Sequence, residues 1–464
     1  MQSDNTARVP GETGVREGVS LLMGDPKKAI LVLSGPMIVA MLLMSTYNIV
    51  NAIWVAGLGS DALAAVGFVT PLFMILVGIG NGLGAGTASL ISRRIGAKDK
   101  AGADNAAVHA ILLTLILSVV LTVPLFLCAG PIVTLFGAGA TAGLATAYGQ
   151  VVFLGIVLIL FTNIGYAILR AEGDTKRAMY AMGASSVLNM VLDPLLIYTA
   201  GMGIAGAAWG MLISLAAVSA ILLYWFFHKK DTYVTFSFRS FSWDRKTLQD
   251  ILGVGLPASF EFFLMSILAI FINGLLVLTA GTDAVAVYTA GWRVVFFAII
   301  PLVGIATSLI SVAGAAYGAR AFEKIQVAHR FSTRLGIAIS LAISAVTFVF
   351  AGQIALIFSY SADSAHLAPE IAAFLATMCF FYPFVPPGIM SSSIFQATGR
   401  GMTSLVIQVM RNLAFIAVFA WLFGIALGFG EHGIWWGIVA GDILGGTVAY
   451  LWARYFITRL IANG

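Results

Sequence analysis

The chain has 464 residues, 60% of them hydrophobic and 10% charged, with a formal net charge of +5 and a mean hydropathy of +0.99. A water-soluble globule of that composition would lack the polar surface it needs, so soluble enzymes and binding modules are excluded and a membrane protein is indicated. The two cysteines, Cys128 and Cys379, fall in different apolar runs, which argues for packing and against a disulfide or a metal site.

Apolar runs of about 20 residues or more read as spanning helices. Twelve are expected, near 29–57, 62–92, 103–128, 144–169, 177–200, 203–228, 249–280, 284–317, 324–350, 368–397, 402–427 and 433–458. The preceding residues 1–28 are polar and show no short apolar core or cleavage site, so they read as a tail. In the first run, "STYNIVNAIW" (45–54) carries Tyr47, Asn48 and Asn51. With Met44 they share about 100° of one helix face at 3.6 residues per turn. The second run holds "GIGNGLGAG" (78–86), whose glycines mimic a dinucleotide loop. No strand precedes it, so close helix approach is the better reading. The fourth run opens on "AYGQVVFLG" (147–155), with Tyr148 and Phe153.

In the fifth run Met182, Ser186, Asn189 and Asp193 line one face, and Pro194 follows. Asp193 is the first half's only acid well inside a helix, with no basic residue at matching depth. Such a group suits proton exchange or the holding of a small cation. Residues 229–248 are the most charged and least apolar of the middle and read as a linker. In the second half Glu261, Arg293, Arg411 and Asp442 lie nine to twelve residues from a helix end, roughly 14–18 Å deep at ~1.5 Å per residue. Two acids and two bases at that depth read as a mutually neutralising network, with direct contact to substrate or coupling ion as the second role.

All Lys and Arg except Arg293 and Arg411 lie in tails, alternate loops or adjacent helix ends. That bias places both termini in the cytoplasm of a multi-pass cell-membrane protein, and it fits anionic lipid with no nucleic-acid role. The sequence also repeats. "GSDALAAVG" (59–67) returns as "GTDAVAVYT" (281–289), 222 residues later, and "SLISRRIGAKDKA" (89–101) as "SLISVAGAAYGARA" (308–321). "LRAEGDTK" (169–176) is echoed by "FQATGRGM" (395–402). The expected fold class is therefore an all-α membrane protein with twelve transmembrane helices in two six-helix lobes. Six is even, so a pseudo-two-fold axis along the membrane normal relates the lobes. The expected division is a cytoplasmic tail 1–28, an N-lobe 29–228, a cytoplasmic linker 229–248, a C-lobe 249–458 and a cytoplasmic tail 459–464. The scattered histidines and the lack of a nucleophile–base constellation give no catalytic or cofactor site.

"STYNIVNAIWVAGLG", "LRAEGDTK", "LNMVLDPLLIY", "GLPASFE" and "FQATGRG" resemble the multidrug and toxic compound extrusion (MATE) family, nearest its DinF-like and archaeal branch. The resemblance covers about residues 25–458. It implies a two-lobe antiporter that exports amphiphilic, often cationic compounds against an inward flow of H+ or Na+. It places the coupling site on Asp193, Asn189, Asn51, Tyr47 and Tyr148, and gives Glu261 as the second-lobe candidate. The substrate cavity is expected from Met44, Asn48, Phe153, Met182, Ser186, Glu261, Arg293 and Arg411. The family's usual first-helix pattern has an aspartate where this chain has Asn51, and relatives often carry a threonine where it has Met211. Those losses favour H+ over Na+, leaving weak Na+ binding at Asp193, Asn189 and Asn51 as the alternative. The protein is expected to work as a monomer in the bilayer. Two other readings remain: a lipid-linked saccharide flippase, which would need more deep cations, and a sensor that has lost transport.

Overall fold

The computed structural model describes residues 12–229, 231–236, 241–359 and 365–463. Residues 1–11 of the expected tail, residues 230 and 237–240 of the expected linker, and Gly464 lie outside the described residues. Among the described residues there are helices and no strand. In chain order the main helices are α1 (Glu12–Met23), α2 (Pro26–Ala56), α3 (Ser60–Gly96), α4 (Lys100–Leu127), α5 (Ala142–Leu154), α6 (Ile156–Ala171), α7 (Thr175–Pro194) and α8 (Gly203–Leu223). Then come α9 (Arg245–Gly318), α10 (Phe322–Val349), α11 (Ala368–Met378), α12 (Val385–Ala397), α13 (Gly401–Val409) and α14 (Gly430–Asn463).

Ten helical spans are long and apolar enough to cross a membrane, and the pair α5–α6, bent by 44°, makes an eleventh. α9 counts twice. Its 74 residues would reach about 110 Å as one rod, far beyond a hydrocarbon core of ~30 Å. The chain reverses instead at Gly281, whose φ of 77° only glycine adopts freely. The result is twelve crossings in two six-helix lobes.

The backbone carries the repeat more clearly than the side chains do. Gly59 and Gly281 are positive-φ turns 222 positions apart, and the non-glycine positive-φ residues Lys98 and Arg320 are separated by the same interval. α4 with the short helix Ala129–Leu135 matches α10 with Ala351–Phe358 at that spacing as well. On the face that carries the termini, Asp25, Asp99, Asp174 and Asp244 cap helices by accepting backbone N–H bonds from residues two or three positions on. Those bonds satisfy donors that the first helical turn leaves free.

Three features add detail to the expected spans. The tail holds a helix, α1, whose Leu22 is buried in the core. The tenth span, expected over 368–397, divides into α11 and α12 around Tyr382–Phe384, where Pro383, Pro386 and Pro387 cannot donate backbone hydrogen bonds. The fifth span, expected over 177–200, continues past Pro194 as a π-helix over Leu195–Thr199. Another π-helix, Met410–Ala417, contains Arg411. Longer i→i+5 spacing is how a helix absorbs such a distortion without leaving backbone groups bare in lipid.

The lobes touch chiefly through α3 and α9. A Cβ on Gly82 would stand 2.5 Å from the Gly255 carbonyl oxygen, and one on Gly96 would stand 2.9 Å from Ala315 Cα. The glycine run of α3 thus serves backbone contact, as expected. Ser89 Oγ donates to the Gln396 carbonyl at 2.6 Å, adding a polar tie across the same seam. These approaches lie in the half of each helix nearest the termini.

Candidate functional site

The first-lobe site forms where α2, α7 and α8 meet. Asp193, at the last turn of α7, is fully buried, and Asn189 and Ser186, one and two turns back, are buried too. Asn51 reaches across from α2, and its Nδ2 donates to Asp193 Oδ2 at 2.6 Å. Tyr47, one turn earlier on α2, neighbours Asn189, Asp193 and Tyr148. Sequence spacing set these residues on two separate faces, and the fold brings the faces together.

What completes the site is a gap in the hydrogen bonding. Asp193 Oδ1 and Asn189 Oδ1 are both buried without a partner. Both look toward Gly210 of α8, where a Cβ would stand 2.5 Å from Asp193 Oδ1 and 3.7 Å from Asn189 Oδ1. Two buried acceptors without a partner of their own, beside the Tyr47 hydroxyl, can take up a proton or a cation. Gly210 precedes Met211, which packs its side chain against the apolar cluster of the outer first lobe and supplies no oxygen. Asn51 thus turns its amino group to Asp193.

Several predicted cavity residues lie elsewhere. Phe153 is fully buried among Val152, Ile156, Leu160 and Ile204, so it is a packing residue of the first lobe and not part of an open wall. Met182 is likewise only 5% exposed within the main core. Periodicity had separated polar from apolar faces but could not say which apolar face meets a neighbouring helix. Met44 stays 41% exposed, and Asn48 Nδ2 is satisfied by the Met44 carbonyl at 3.0 Å, so neither joins Asp193.

In the second lobe the expected four-charge network divides. Arg411 Nε donates to Asp442 Oδ1 at 2.5 Å, and both residues are buried. Glycines make the slot: a Cβ on Gly388 would stand 3.3 Å from Arg411 Nε, and one on Gly445 2.8 Å from Arg411 Cγ. Glu261 lies within electrostatic reach of Arg411 but is held by neutral groups. Ser404 Oγ donates to Glu261 Oε1 at 2.6 Å, and Gln396 Nε2 lies 3.3 Å from the same oxygen. Arg293 is separate: its residue is exposed, and it makes no hydrogen bond or ion pair among the described residues. Sequence reading missed Ser404, Gln408 and Gln396. The first two stand with Arg411 at i, i+4 and i+7 on one helix face, a spacing that carried the signal.

Residues 36–195 and 257–422 match the MatE family model, one segment in each lobe. The chain is 27% identical over 448 residues to the multidrug export protein MepA of Staphylococcus saprophyticus, covering 94% of this chain and 95% of that protein. It superposes with a TM-score of 0.94 and 43% identity on an outward-facing structure of a multidrug resistance MATE family transporter of the MOP superfamily, covering 96% of this chain and 99% of that one. A MOP superfamily transporter from Pyrococcus furiosus, whose structure is described as having a binding pocket of reverse polarity that suggests a different function, aligns at a TM-score of 0.93 with 43% identity. That alignment covers 96% of this chain and 98% of that one. With both lobes matched by the family model and nearly the whole chain by these relatives, the protein belongs to the MatE family.

Proposed function

We propose that this chain is a secondary antiporter that exports amphiphilic, often cationic compounds by alternating access, driven by H+ entering through Asp193. The carrying observation is the pair of unpartnered oxygens on Asp193 and Asn189 beside Gly210. A proton on Asp193 Oδ1 turns one of these acceptors into a donor next to the other. Na+ would need a fuller shell of oxygens than the site offers, since Asn51 spends its amino group on Asp193 and Met211 adds none. The multidrug export relatives support the substrate class, and the α3–α9 contacts near the termini support a cavity that opens on the opposite face.

In this reading the termini are cytoplasmic, the protein sits as a monomer in the cell membrane, and protonation is the switch. Asp193 carrying a proton accepts the Asn51 bond less strongly, which loosens α2 from α7. The π-helix after Pro194 gives α7 room to shift, and substrate contacts weaken while the cavity faces outward. Loss of the proton to the cytoplasm restores the Asn51–Asp193 bond.

The test is efflux of a fluorescent lipophilic cation from reconstituted vesicles under separate H+ and Na+ gradients. The parent responds to the H+ gradient, and Asp193→Asn loses about tenfold or more of that flux. Asn51→Asp adds a carboxylate and makes transport sodium-dependent. Unchanged proton-driven efflux in Asp193→Asn overturns the coupling role. A second reading, flipping of an anionic lipid-linked saccharide, is favoured by one observation, the exposed Arg293 with no partner among the described residues. Its signature is scrambling of a fluorescent lipid-linked donor that Arg293→Gln abolishes.

A further inference from the structure

Far from Asp193, on the face that carries the termini, a cleft of about 620 Å³ opens where the lobes meet. One wall is the end of α3, with Arg93 and Arg94; the other is formed by α9 and the turn after it, with Lys246 and Arg320. Four cations therefore line the cleft against one carboxylate, Asp250. Arg94 is tied elsewhere, its Nη1 2.7 Å from Asp99 Oδ2. Arg93 is not satisfied. It donates Nε to the Ser89 carbonyl at 3.2 Å, but its Nη2 is buried and has no partner. Gly399 leaves room for the guanidinium, since a Cβ there would stand 2.8 Å from Arg93 Nη1.

A buried guanidinium nitrogen without an acceptor, flanked by three more cations, calls for a compact anion with several oxygens. Phosphate matches the planar fork of arginine better than a chloride does. Leu90, Phe322 and Leu460 add an apolar side to the same cleft, which suits a headgroup that is joined to acyl chains. We propose that this cleft binds a phosphate-type anion, either the headgroup of an anionic phospholipid or free phosphate, and that the anion bridges the two lobes. The binding does not rest on the antiport reading. The bridge follows from the walls, because Arg93 and Arg94 belong to α3 while Lys246 and Arg320 belong to the second half of the chain.

The test uses the full chain in detergent, with thermal unfolding followed in the presence of phosphatidylglycerol, phosphatidylcholine or inorganic phosphate. Phosphatidylglycerol is expected to raise the melting temperature by several degrees more than phosphatidylcholine. Lys246→Gln/Arg320→Gln removes two exposed cations of the cleft and is expected to abolish most of that difference. Lys98→Gln/Arg454→Gln, which removes the same charge from exposed positions outside the cleft, retains it. An effect of inorganic phosphate alone identifies a free anion as the ligand, and an effect confined to phosphatidylglycerol identifies the lipid. No effect of phosphatidylglycerol or of inorganic phosphate on the parent, or equal loss in both double variants, overturns the site. Hydrogen exchange supplies the second readout. Binding should protect residues 90–97 and 315–320 together, and protection of one wall alone overturns the bridge.

Discussion

Asp193 and Asn189 keep unpaired oxygens beside Gly210 of α8, which has no side chain. Gly210→Ala therefore tests the site without touching a polar atom. Its Cβ would fall 2.5 Å from Asp193 Oδ1, so the carboxylate or the helix must move. Such overpacking costs typically 1–3 kcal/mol, and thermal unfolding should show a loss of about that size along with reduced efflux. Arg411 poses the opposite problem. Arg411→Ala leaves Asp442 buried and uncompensated, and is expected to cost about 3–5 kcal/mol by chemical unfolding. Arg411→Met/Asp442→Leu, which removes both charges and keeps the volume, should be less destabilised than the single variant. Asp193, Asn189 and Asn51 were legible because polar groups on an apolar helix break its pattern. Gly210 was not, since its contribution is the atom it lacks. Phe153 was misplaced for a related reason: on a helix that is apolar all round, nothing in the spacing distinguishes a core face from a cavity face.

At the scale of elements, the stretch between the lobes is fastened rather than slack where it is described. Arg177, in the first turn of α7, holds Asp231 with two bonds of 2.8 Å, and Lys229 lies 2.8 Å from the same carboxylate. Burial alone would raise the proton affinity of Asp231, but Lys229 and Arg177 outweigh it and hold its carboxyl below the ordinary range. A depressed carboxylate contributes stability above its unfolded pKa of about 3.9, and loses it only as pH falls through the lower folded value. The Arg177–Asp231 pair should therefore hold from pH 8 to pH 5, and limited proteolysis of the linker reads its loss. Arg177→Ala should raise the cleavage rate across that whole range. The helices themselves were readable to within a few residues, because lipid demands long apolar runs. The exceptions were local. α1 was hidden in a polar tail, although Val15, Val19 and Leu22 stand at i, i+4 and i+7. The break of the tenth span and the π-helix after Pro194 depend on how each proline's lost hydrogen bond is replaced, which composition does not specify.

At the scale of the molecule, the repeat shows how twelve helices become two bodies that can move against each other. Gly59 with Gly281, and Lys98 with Arg320, set equivalent turns in each lobe, so each six-helix unit is closed by its own connections. What then joins the units is the seam between α3 and α9, together with ties such as Ser89 to Gln396 and Lys324 Nζ to the Met23 and Gly24 carbonyls. The alternating access proposed for this chain would require this seam to open once per cycle, and its glycines suit that demand because they give close contact without interlocked side chains. Gly314 and Ser92 offer a lock. A Cβ on Gly314 would stand 3.2 Å from Ser92 Cβ, close to the spacing of ~3.5–4.5 Å that a disulfide requires. In a chain first cleared of Cys128 and Cys379, Ser92→Cys/Gly314→Cys should cross-link on mild oxidation. Oxidised vesicles should lose export while still binding substrate from the opposite face, and a reductant should restore flux. Full transport by the cross-linked protein would mean that the α3–α9 seam stays shut throughout the cycle, and that access to the terminus-bearing face runs by another route.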